Sequence, residues 1–222
     1  MKSDWDLTPD VSRRQRLGFD ETVFCAGKTP DQINRLLQKA LDDEESMLLT
    51  RLDSGKFFEL SASLSAHLDY DAISHTAILG EVAARADNPR IAIVSAGTSD
   101  VRVARESART LHYYGVQVRE IYDVGVAGIW RLMDRIDELR EMNVVITVAG
   151  MEGTLPSVVA GLVPGVVIAV PVATGYGVAE NGTAALNSAL ASCAPGLVVV
   201  NVDNGYGAGC AALRMVNLMQ HG

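Results

Sequence analysis

The feature that most constrains the fold is a rhythm in the second half of the chain, where short runs rich in β-branched residues alternate with alanine-rich helical patterns. The last three runs are apolar at nearly every position, which is typical of strands buried on both faces. The five runs span residues 90–95, 116–122, 144–148, 166–170 and 197–202. Alternating strand and helix predicts βαβ units and therefore a flavodoxin-like doubly wound α/β fold with a parallel sheet of five strands.

A change in composition near Asn88-Pro89 predicts two domains. We expect a small α/β N-terminal domain over residues 1–88 and the five-stranded domain over residues 89–222. In the first domain we predict a strand at 22–26, a helix that begins at Thr29-Pro30 and ends near residue 41, and a hairpin. Its strands would span residues 47–52 and 56–60, around the turn Asp53-Ser54-Gly55. Helices of the second domain are predicted at 99–114, 128–141, 155–162, 182–193 and 208–219.

Charge and cysteine usage exclude several classes of protein. The 222 residues carry 19 Lys and Arg against 27 Asp and Glu, a net charge of −8 that disfavours nucleic acids and anionic membranes as partners. Three widely spaced cysteines form neither a zinc motif nor a disulfide framework. The acidic start lacks the apolar core of a signal peptide, and glycines and prolines interrupt the longest apolar stretch, 158–172. We therefore expect a cytoplasmic protein that has no membrane span and no metal site of its own.

Each predicted strand ends in a polar or glycine-bearing turn, and ligands of open parallel sheets bind beyond the carboxyl ends of the strands. One such loop is ordinary, but five at one edge indicate a ligand site. The candidate substrate-binding residues are Gly97, Thr98, Ser99, Asp100, Asp123, Gly125, Gly150, Gly153, Thr154, Gly175, Tyr176, Gly177, Asn204, Gly205 and Tyr206.

The first loop carries the most chemistry. Gly97 permits a sharp turn, and Ser99 and Asp100 stand where a helix begins, so free N–H groups and the positive end of the helix dipole suit a phosphate. Asp100 is either a simple N-cap or an acceptor for ribose hydroxyls. The loop is neither a GxGxxG fingerprint nor a P-loop, which argues against hydride transfer and P-loop phosphoryl transfer.

Four further side chains could take part in catalysis, and for each one the sequence favours either a catalytic or an inert role. Glu152, in the Gly150–Gly153 turn, is either a general base or a solvated loop glutamate. Cys25 lies within a strand pattern and should be an inert core thiol. Cys210 stands at a predicted helix start, which favours a thiolate, so position alone makes it the better nucleophile. Cys193 ends a helix at the wrong edge of its own sheet, unless a neighbouring subunit presents it to the site.

Several motifs carry a family resemblance. They are AGTSD at 96–100, DVGVAG at 123–128, AGMEGTLPSVVAG at 149–161, VPGVVIAVPV at 163–172, GYG at 175–177, NSALASCAPG at 187–196 and NVDNGYGAG at 201–209. The region from residue 90 onwards resembles the PurE family of aminoimidazole ribonucleotide carboxylases and mutases. The whole chain is similar to the LarB family, PurE-related enzymes of nickel-pincer nucleotide cofactor synthesis. That wider similarity includes Arg13, Arg16, Lys28 and Arg51.

The resemblance implies a carboxylase and hydrolase. Carbon dioxide or bicarbonate would carboxylate the pyridinium ring of nicotinic acid adenine dinucleotide, and hydrolysis of the phosphoanhydride would give pyridinium-3,5-biscarboxylic acid mononucleotide and AMP. Cys193 would be the catalytic nucleophile in place of Cys210, Glu152 and Asp100 would be the other catalytic residues, and Ser99 would stand beside them around the substrate. A PurE-like homo-octamer would bring Cys193 to another subunit's site. Mg²⁺ would be held mainly by the substrate phosphates.

The basic residues of the N-terminal domain allow three interpretations. Arg13, Arg16, Lys28 and Arg51 would contact the adenylate phosphates, face a neighbouring subunit, or be isolated surface charges.

Two departures from the purine enzymes bear on the reaction. Those enzymes carry a histidine before the LPG of their third loop, where this chain reads EGTLPS, and related sequences have His-Arg where this chain has Trp130-Arg131. The chain's four histidines, His67, His75, His112 and His221, all lie outside the strand-end loops. A PurE-type mutase of purine synthesis and a non-catalytic nucleotide-binding protein remain the alternative functions.

Overall fold

The computed structural model describes residues 13–82, 84 and 90–220. The chain divides into two compact units, Met1–Glu81 and Val82–Gly222. The predicted boundary between residues 88 and 89 lies outside the described residues, as do the acidic first ten residues and His221. Within the described ranges, no helix has the length and apolar character needed to cross a membrane.

The first unit is a small α/β structure built on a mixed sheet. Its strand order is β1-β2-β4-β3, with β1 and β2 parallel and the other two pairs antiparallel. In α2, Pro30 takes the first turn and Thr29 forms a capping box with Gln32. The elements are α1 (Arg13–Leu17), β1 (Val23–Phe24), α2 (Pro30–Asp42), β2 (Met47–Thr50), α3 (Ser54–Glu59), α4 (Ala62–Ser65), β3 (Leu68–Asp71) and β4 (Thr76–Leu79).

The predicted hairpin in this unit is wrong in its second strand. Residues 54–59 form helix α3, because the Asp53 carboxylate accepts a hydrogen bond from the Lys56 backbone N–H at 3.0 Å and caps a helix instead of closing a turn. The strand that pairs antiparallel with β2 is β4, which the sequence analysis missed together with β3. The Asp71 carboxylate accepts from the backbone N–H groups of Ile73 and Ser74, so an Asx-type turn makes the true hairpin.

The second unit has the predicted architecture. Its five-stranded sheet has the order β6-β5-β7-β8-β9 and every neighbouring pair is parallel, which confirms the flavodoxin-like doubly wound fold. Every residue of β5 and β7 is buried, as expected for central strands covered on both faces. The elements are β5 (Ile91–Ser95), α5 (Val101–Tyr113), β6 (Arg119–Ile121), α6 (Ile129–Met133), α7 (Ile136–Arg140), β7 (Val144–Ala149), α8 (Leu155–Ala160), β8 (Val166–Pro171), α9 (Thr183–Leu190), β9 (Val198–Val199) and α10 (Gly205–Gln220).

Several predicted elements differ in extent, among them the strand predicted at 116–122, which is observed as β6 (Arg119–Ile121). The helix predicted at 128–141 is two helices, α6 and α7, because Arg135 takes a non-helical φ of −114° and ψ of 2° between them. The outer strand β9 pairs with β8 at two positions and is shorter than predicted. Helix α10 begins at Gly205, three residues earlier than predicted, which changes the position of Cys210 within it.

Candidate active site

A pocket of about 280 Å³ is lined by residues that follow β5, β6, β7 and β8. Strand order reverses at β5, which has β6 on one side and β7 on the other, so the pocket lies at the topological switch point where ligands of this fold bind. Eight of the predicted site residues line it: Gly97, Ser99, Asp100, Asp123, Gly125, Gly150, Glu152 and Thr154.

Asp100 joins two of the pocket's loops. Its side chain is 5% exposed, and its Oδ2 accepts a hydrogen bond from the Gly97 backbone N–H at 2.9 Å. The backbone N–H of Gly150, in the third loop, also bonds to this carboxylate. Burial raises the pKa of Asp100, and these two bonds oppose the increase. As the N-cap of α5, Asp100 makes no side-chain capping bond, so the prediction of a simple N-cap is wrong. The Gly97 bond belongs instead to the short turn Thr98–Asp100, in which the carboxylate of the third residue, Asp100, accepts from the N–H of the N-cap residue Gly97. Ser99 is exposed in the pocket wall, whereas Thr98 is exposed outside it.

The second loop brings an arginine that the sequence analysis did not assign to the site. Arg131 lines the pocket, and its Nη1 donates to Asp123 Oδ2 at 2.6 Å. Its Nε is buried and has no hydrogen-bond partner among the described residues. Gly125 is required here, because a Cβ would lie 2.7 Å from the Ala96 carbonyl oxygen. The available signal was the position of Trp130-Arg131 just after the second strand-end loop.

The third loop exposes Glu152 at the pocket wall. Met151 and Gly153, on either side, have φ angles of 52° and 62°, and the tight turn directs Glu152 outward to solvent. The Met151 backbone N–H donates to the Thr174 carbonyl oxygen at 2.8 Å, which ties this turn to the fourth loop. A Cβ at Gly150 would lie 2.3 Å from the same oxygen, so a glycine is required for this contact. A carboxylate that is both exposed and within the pocket can exchange a proton with a bound substrate.

The fourth loop contributes little to the pocket. Thr174 lines it, but the predicted residues Gly175, Tyr176 and Gly177 do not. Tyr176 is 78% exposed. A Cβ at Gly175 would lie 2.5 Å from the Ala179 carbonyl oxygen, so this glycine serves the packing of the loop on itself.

The fifth loop serves helix α10 instead of the pocket. Asn204 Oδ1 accepts from the Gly207 backbone N–H at 2.8 Å, and the Gly205 backbone N–H donates to the buried Glu106 Oε2 at 3.1 Å. Tyr206 is half-buried in the first turn of the helix. These contacts satisfy the first N–H groups of α10, and Asn204, Gly205 and Tyr206 are not among the residues that line the pocket.

The three cysteines have different environments. Cys25 is buried in the first unit, and burial raises the pKa of its thiol to about 12. Cys210 is the sixth residue of α10 and half-buried, so it stands beyond the first turn on which its predicted activation depends. Cys193 is exposed after the end of α9 and does not line the pocket of its own chain. The adjacent Ser192 hydroxyl bonds to that of Ser157, on α8, at 2.7 Å.

The basic residues of the first unit follow its first elements. Arg13 and Arg16 are on α1, and Arg13 Nε is buried without a hydrogen-bond partner among the described residues. Lys28 and Arg51 follow the parallel strands β1 and β2, so both stand beyond the same edge of the mixed sheet. In the part of the chain that the structure covers, no group of three or more His, Cys, Asp or Glu side chains is arranged to hold a metal ion.

Two family models match the chain. Residues 90–222 match the model described as AIR carboxylase, and residues 6–81 match the model described as LarB/PurE-like N-terminal domain.

The chain is also similar to individual proteins and to one solved structure. An uncharacterized protein of Methanocaldococcus jannaschii is 36% identical over 220 residues, which cover 96% of this chain and 85% of that protein. N5-carboxyaminoimidazole ribonucleotide mutase of the same organism is 32% identical over 133 residues, 58% of this chain and 79% of that protein. The crystal structure of a PurE2 variant of Treponema denticola is 18% identical with a TM-score of 0.45, covering 60% of this chain and 94% of that one.

Proposed function

The chain belongs to the AIR carboxylase family over residues 90–222 and carries a LarB/PurE-like N-terminal domain, and on that basis we propose that it carboxylates nicotinic acid adenine dinucleotide. Carbon dioxide or bicarbonate supplies the carboxyl group at C5 of the pyridinium ring. Hydrolysis of the phosphoanhydride then gives pyridinium-3,5-biscarboxylic acid mononucleotide and AMP. This reaction belongs to nickel-pincer nucleotide cofactor synthesis.

The observation that carries this proposal is the set of proton-transferring groups in the pocket. Glu152 lines it as an exposed carboxylate, and no histidine stands among the described residues of its wall. The purine enzymes depend on proton transfer by an imidazole, and the described pocket wall offers no histidine for that role. A carboxylate base suits removal of a proton from an activated ring carbon.

Arg131 and the start of α5 supply positive charge and dipole to an anionic substrate. The Arg131 guanidinium lines the pocket beside Asp123 and keeps donors beyond the one used in that ion pair. Ser99 stands in the wall at the N-terminal end of the same helical segment, where the helix dipole favours anions. We assign the carboxylate of the nicotinic acid ring and the pyrophosphate to these groups.

The ring needs a nucleophile before it can attack a carbon electrophile. A Cys193 thiolate adds at C4 of the electron-poor pyridinium ring and forms a C–S bond, which leaves an enamine whose C5 attacks carbon dioxide. Because Cys193 is exposed and outside its own chain's pocket, we propose that a second copy of the chain, in a PurE-like octamer, presents it.

Glu152 completes the carboxylation. After the new C–C bond forms, C5 holds both a proton and the carboxylate, and C6 and the ring nitrogen form an iminium. Glu152 takes the C5 proton, the electron pair returns to the ring, and the C4–S bond breaks to release the thiolate. The aromatic pyridinium is restored and Cys193 is regenerated, so the step needs no oxidant or reductant.

Hydrolysis of the phosphoanhydride follows at the pyrophosphate. Mg²⁺ prefers octahedral oxygen ligands and usually binds through substrate phosphates and water. The described residues contain no acidic cluster that would hold the ion alone, so we propose that Mg²⁺ enters with the substrate.

A second candidate function has one observation in its favour. The chain is 32% identical over 133 residues to a protein named N5-carboxyaminoimidazole ribonucleotide mutase. A mutase of that kind would act on aminoimidazole ribonucleotides and would not require a cysteine.

Two parallel incubations distinguish the candidates. The full chain is mixed with nicotinic acid adenine dinucleotide, ¹³C-bicarbonate and MgCl₂, and in parallel with N5-carboxyaminoimidazole ribonucleotide, and the products are identified by mass spectrometry. We expect a labelled carboxyl group in a mononucleotide, with AMP in equal amount. Nucleotide binding without a product would contradict both enzymatic functions.

The cysteine variants test the mechanism. Cys193→Ala should abolish carboxylation. Cys210→Ala, which makes the same substitution at a half-buried cysteine, is the control and should retain carboxylation. Full turnover by Cys193→Ala would contradict the covalent step even if the substrate were correct.

A further inference from the structure

Asp203, in the turn after β9, contacts the loop after β8 and helix α5. Its Oδ1 accepts a hydrogen bond from the Ala173 backbone N–H at 3.0 Å, and its Oδ2 lies 3.4 Å from Arg102 Nη2. Its own backbone N–H donates to the Pro171 carbonyl oxygen at 2.8 Å. Asp203 has a φ of 57°, a left-handed conformation that is uncommon for a residue other than glycine. The surrounding contacts therefore fix this carboxylate closely, although the residue does not line the pocket itself.

These contacts form part of a closed ring. From Asp203 the ring passes through Ala173 to Thr174, whose carbonyl oxygen accepts from the Met151 backbone N–H at 2.8 Å. The neighbouring Gly150 N–H bonds to the Asp100 carboxylate. Two residues after Asp100, Arg102 on α5 returns the ring to Asp203. The loops after β5, β7, β8 and β9 are thus joined by polar contacts behind the pocket wall.

We propose that Asp203 is a positioning residue, which holds Asp100 against Gly150 and the third loop against Thr174, and so fixes the place of Glu152 in the pocket. The Asp203 side chain makes two contacts in the ring, and both end within two positions of a pocket residue: Ala173 precedes Thr174, and Arg102 follows Asp100 by two residues. This assignment concerns the shape of the pocket and holds for any substrate.

The charge of Asp203 gives the proposal a signature that a packing role lacks. Its negative charge raises the pKa of Asp100 further above the effect of burial. The other charged groups of this region are Arg102 and the buried Glu106 on α5, whose Oε2 accepts from the Gly205 N–H, and the pocket residues Asp123, Arg131 and Glu152. Replacing Asp203 by asparagine, which keeps an acceptor for the Ala173 N–H, should therefore lower the pKa of Asp100.

Two variants separate the hydrogen bond from the charge. Asp203→Asn keeps a carbonyl oxygen that can accept from the Ala173 N–H but loses the charge, whereas Asp203→Ala loses both. In Asp203→Ala, native-state hydrogen exchange at the Ala173 and Met151 amides should become at least about fivefold faster, the effect of losing one hydrogen bond. In Asp203→Asn, exchange at these amides should stay near that of the original protein.

Carboxyl ¹³C NMR measures the second effect. The Asp100 resonance, assigned by its loss in Asp100→Asn, should titrate at lower pH in Asp203→Asn than in the original protein. Asp137→Ala removes a similar ion pair, to Arg140 at 3.0 Å on the exposed face of α7, and should change neither measurement.

Either of two results would overturn the proposal. One is unchanged exchange at Ala173 and Met151 in Asp203→Ala relative to Asp137→Ala. The other is an unchanged titration of Asp100 in Asp203→Asn. Neither measurement uses turnover, so a failure of the proposed carboxylation would leave this test intact.

Discussion

Both units of the chain contain parallel strands, but the carboxyl ends of these strands are used differently. In the second unit the loops after β5, β6, β7 and β8 surround a pocket of about 280 Å³. In the first unit the loop after β1 is closed by Lys56, whose Nζ donates to the carbonyl oxygens of Cys25 at 2.9 Å and Ala26 at 2.7 Å. At the strand edge of the first unit, which we call the closed edge, Lys56 hydrogen-bonds the backbone carbonyl oxygens of the loop. At the strand edge of the second unit, the open edge, polar side chains face the pocket.

The difference shows what makes a strand edge into a site. At Gly125 and Gly150 the backbones of neighbouring loops approach so closely that a Cβ would clash with a carbonyl oxygen, which leaves polar side chains at the pocket surface. At Gly27, after β1, the space where a Cβ would stand is open. Glycine in a strand-end loop therefore marks a site only where loops converge. The substitutions and the labelling experiment described below test this contrast between the two edges.

The largest effect is expected at Glu152, on the open edge. Glu152→Gln keeps the shape of the side chain but removes the base, so carboxylation should fall about 10²- to 10⁴-fold. The exposure of Glu152 predicts an unchanged fold, to be checked by circular dichroism. Glu180→Gln, at an exposed glutamate in the fourth loop outside the pocket, is the control and should retain activity. If both variants lost carboxylation activity equally, Glu152 would have no special role as the base of the pocket.

The thiols of the two units should differ in alkylation rate. Cys193 is exposed, whereas burial raises the pKa of Cys25 from 9.0 to about 12, which lowers its thiolate fraction about 10³-fold at neutral pH. With iodoacetamide, Cys193 should react in the native protein and Cys25 after denaturation, as peptide mass mapping would show. Fast native labelling of Cys25 would mean that the first edge is not closed.

The raised pKa of Cys25 also determines how the free energy of unfolding depends on pH. Between pH 9 and about 12 the thiol keeps its proton in the native state and loses it in the unfolded state. The free energy of unfolding should therefore fall as pH rises through this window. Cys25→Ala should remove that component of the slope, measured by urea denaturation at several pH values.

A pair of glycine substitutions compares the two edges directly. Gly150→Ala would place a Cβ 2.3 Å from the Thr174 carbonyl oxygen, and the overpacking should lower the free energy of unfolding by about 1–3 kcal/mol. Gly27→Ala meets nothing within 4 Å and should range from neutral to about 1 kcal/mol more stable. Urea denaturation measures both, and a greater loss at Gly27 would reverse the interpretation.

The smallest effect is expected at the closed edge. Lys56→Met keeps the aliphatic stem but removes the donor to Cys25 and Ala26, so the free energy of unfolding should fall by about 1 kcal/mol. Carboxylation should be unchanged. A loss of turnover at constant stability would show instead that Lys56 belongs to a functional surface.

Predictability from the sequence differed between the units for a physical reason. Consecutive βα units leave few topologies, so continuously apolar runs such as 144–148 predicted the parallel sheet and its switch point. In the first unit, Asp53-Ser54-Gly55 is compatible with either a turn or a capped helix start, and the bonds from Lys56 Nζ to the carbonyl oxygens of Cys25 and Ala26, which hold this segment, form only in the folded chain. The hairpin of β3 and β4 depends on a local turn at Asp71, a signal that the sequence analysis did not identify.

By itself, the sequence determined the parallel sheet, the edge that bears the pocket and the turn that carries Glu152, because each depends on patterns within a few neighbouring residues. Tertiary structure alone decided that Arg131 enters the pocket, that the fifth loop caps α10, and that Asp203 closes a ring behind Asp100. These outcomes depend on distances between loops that are far apart in the chain, and such distances are fixed only when the strands pack side by side.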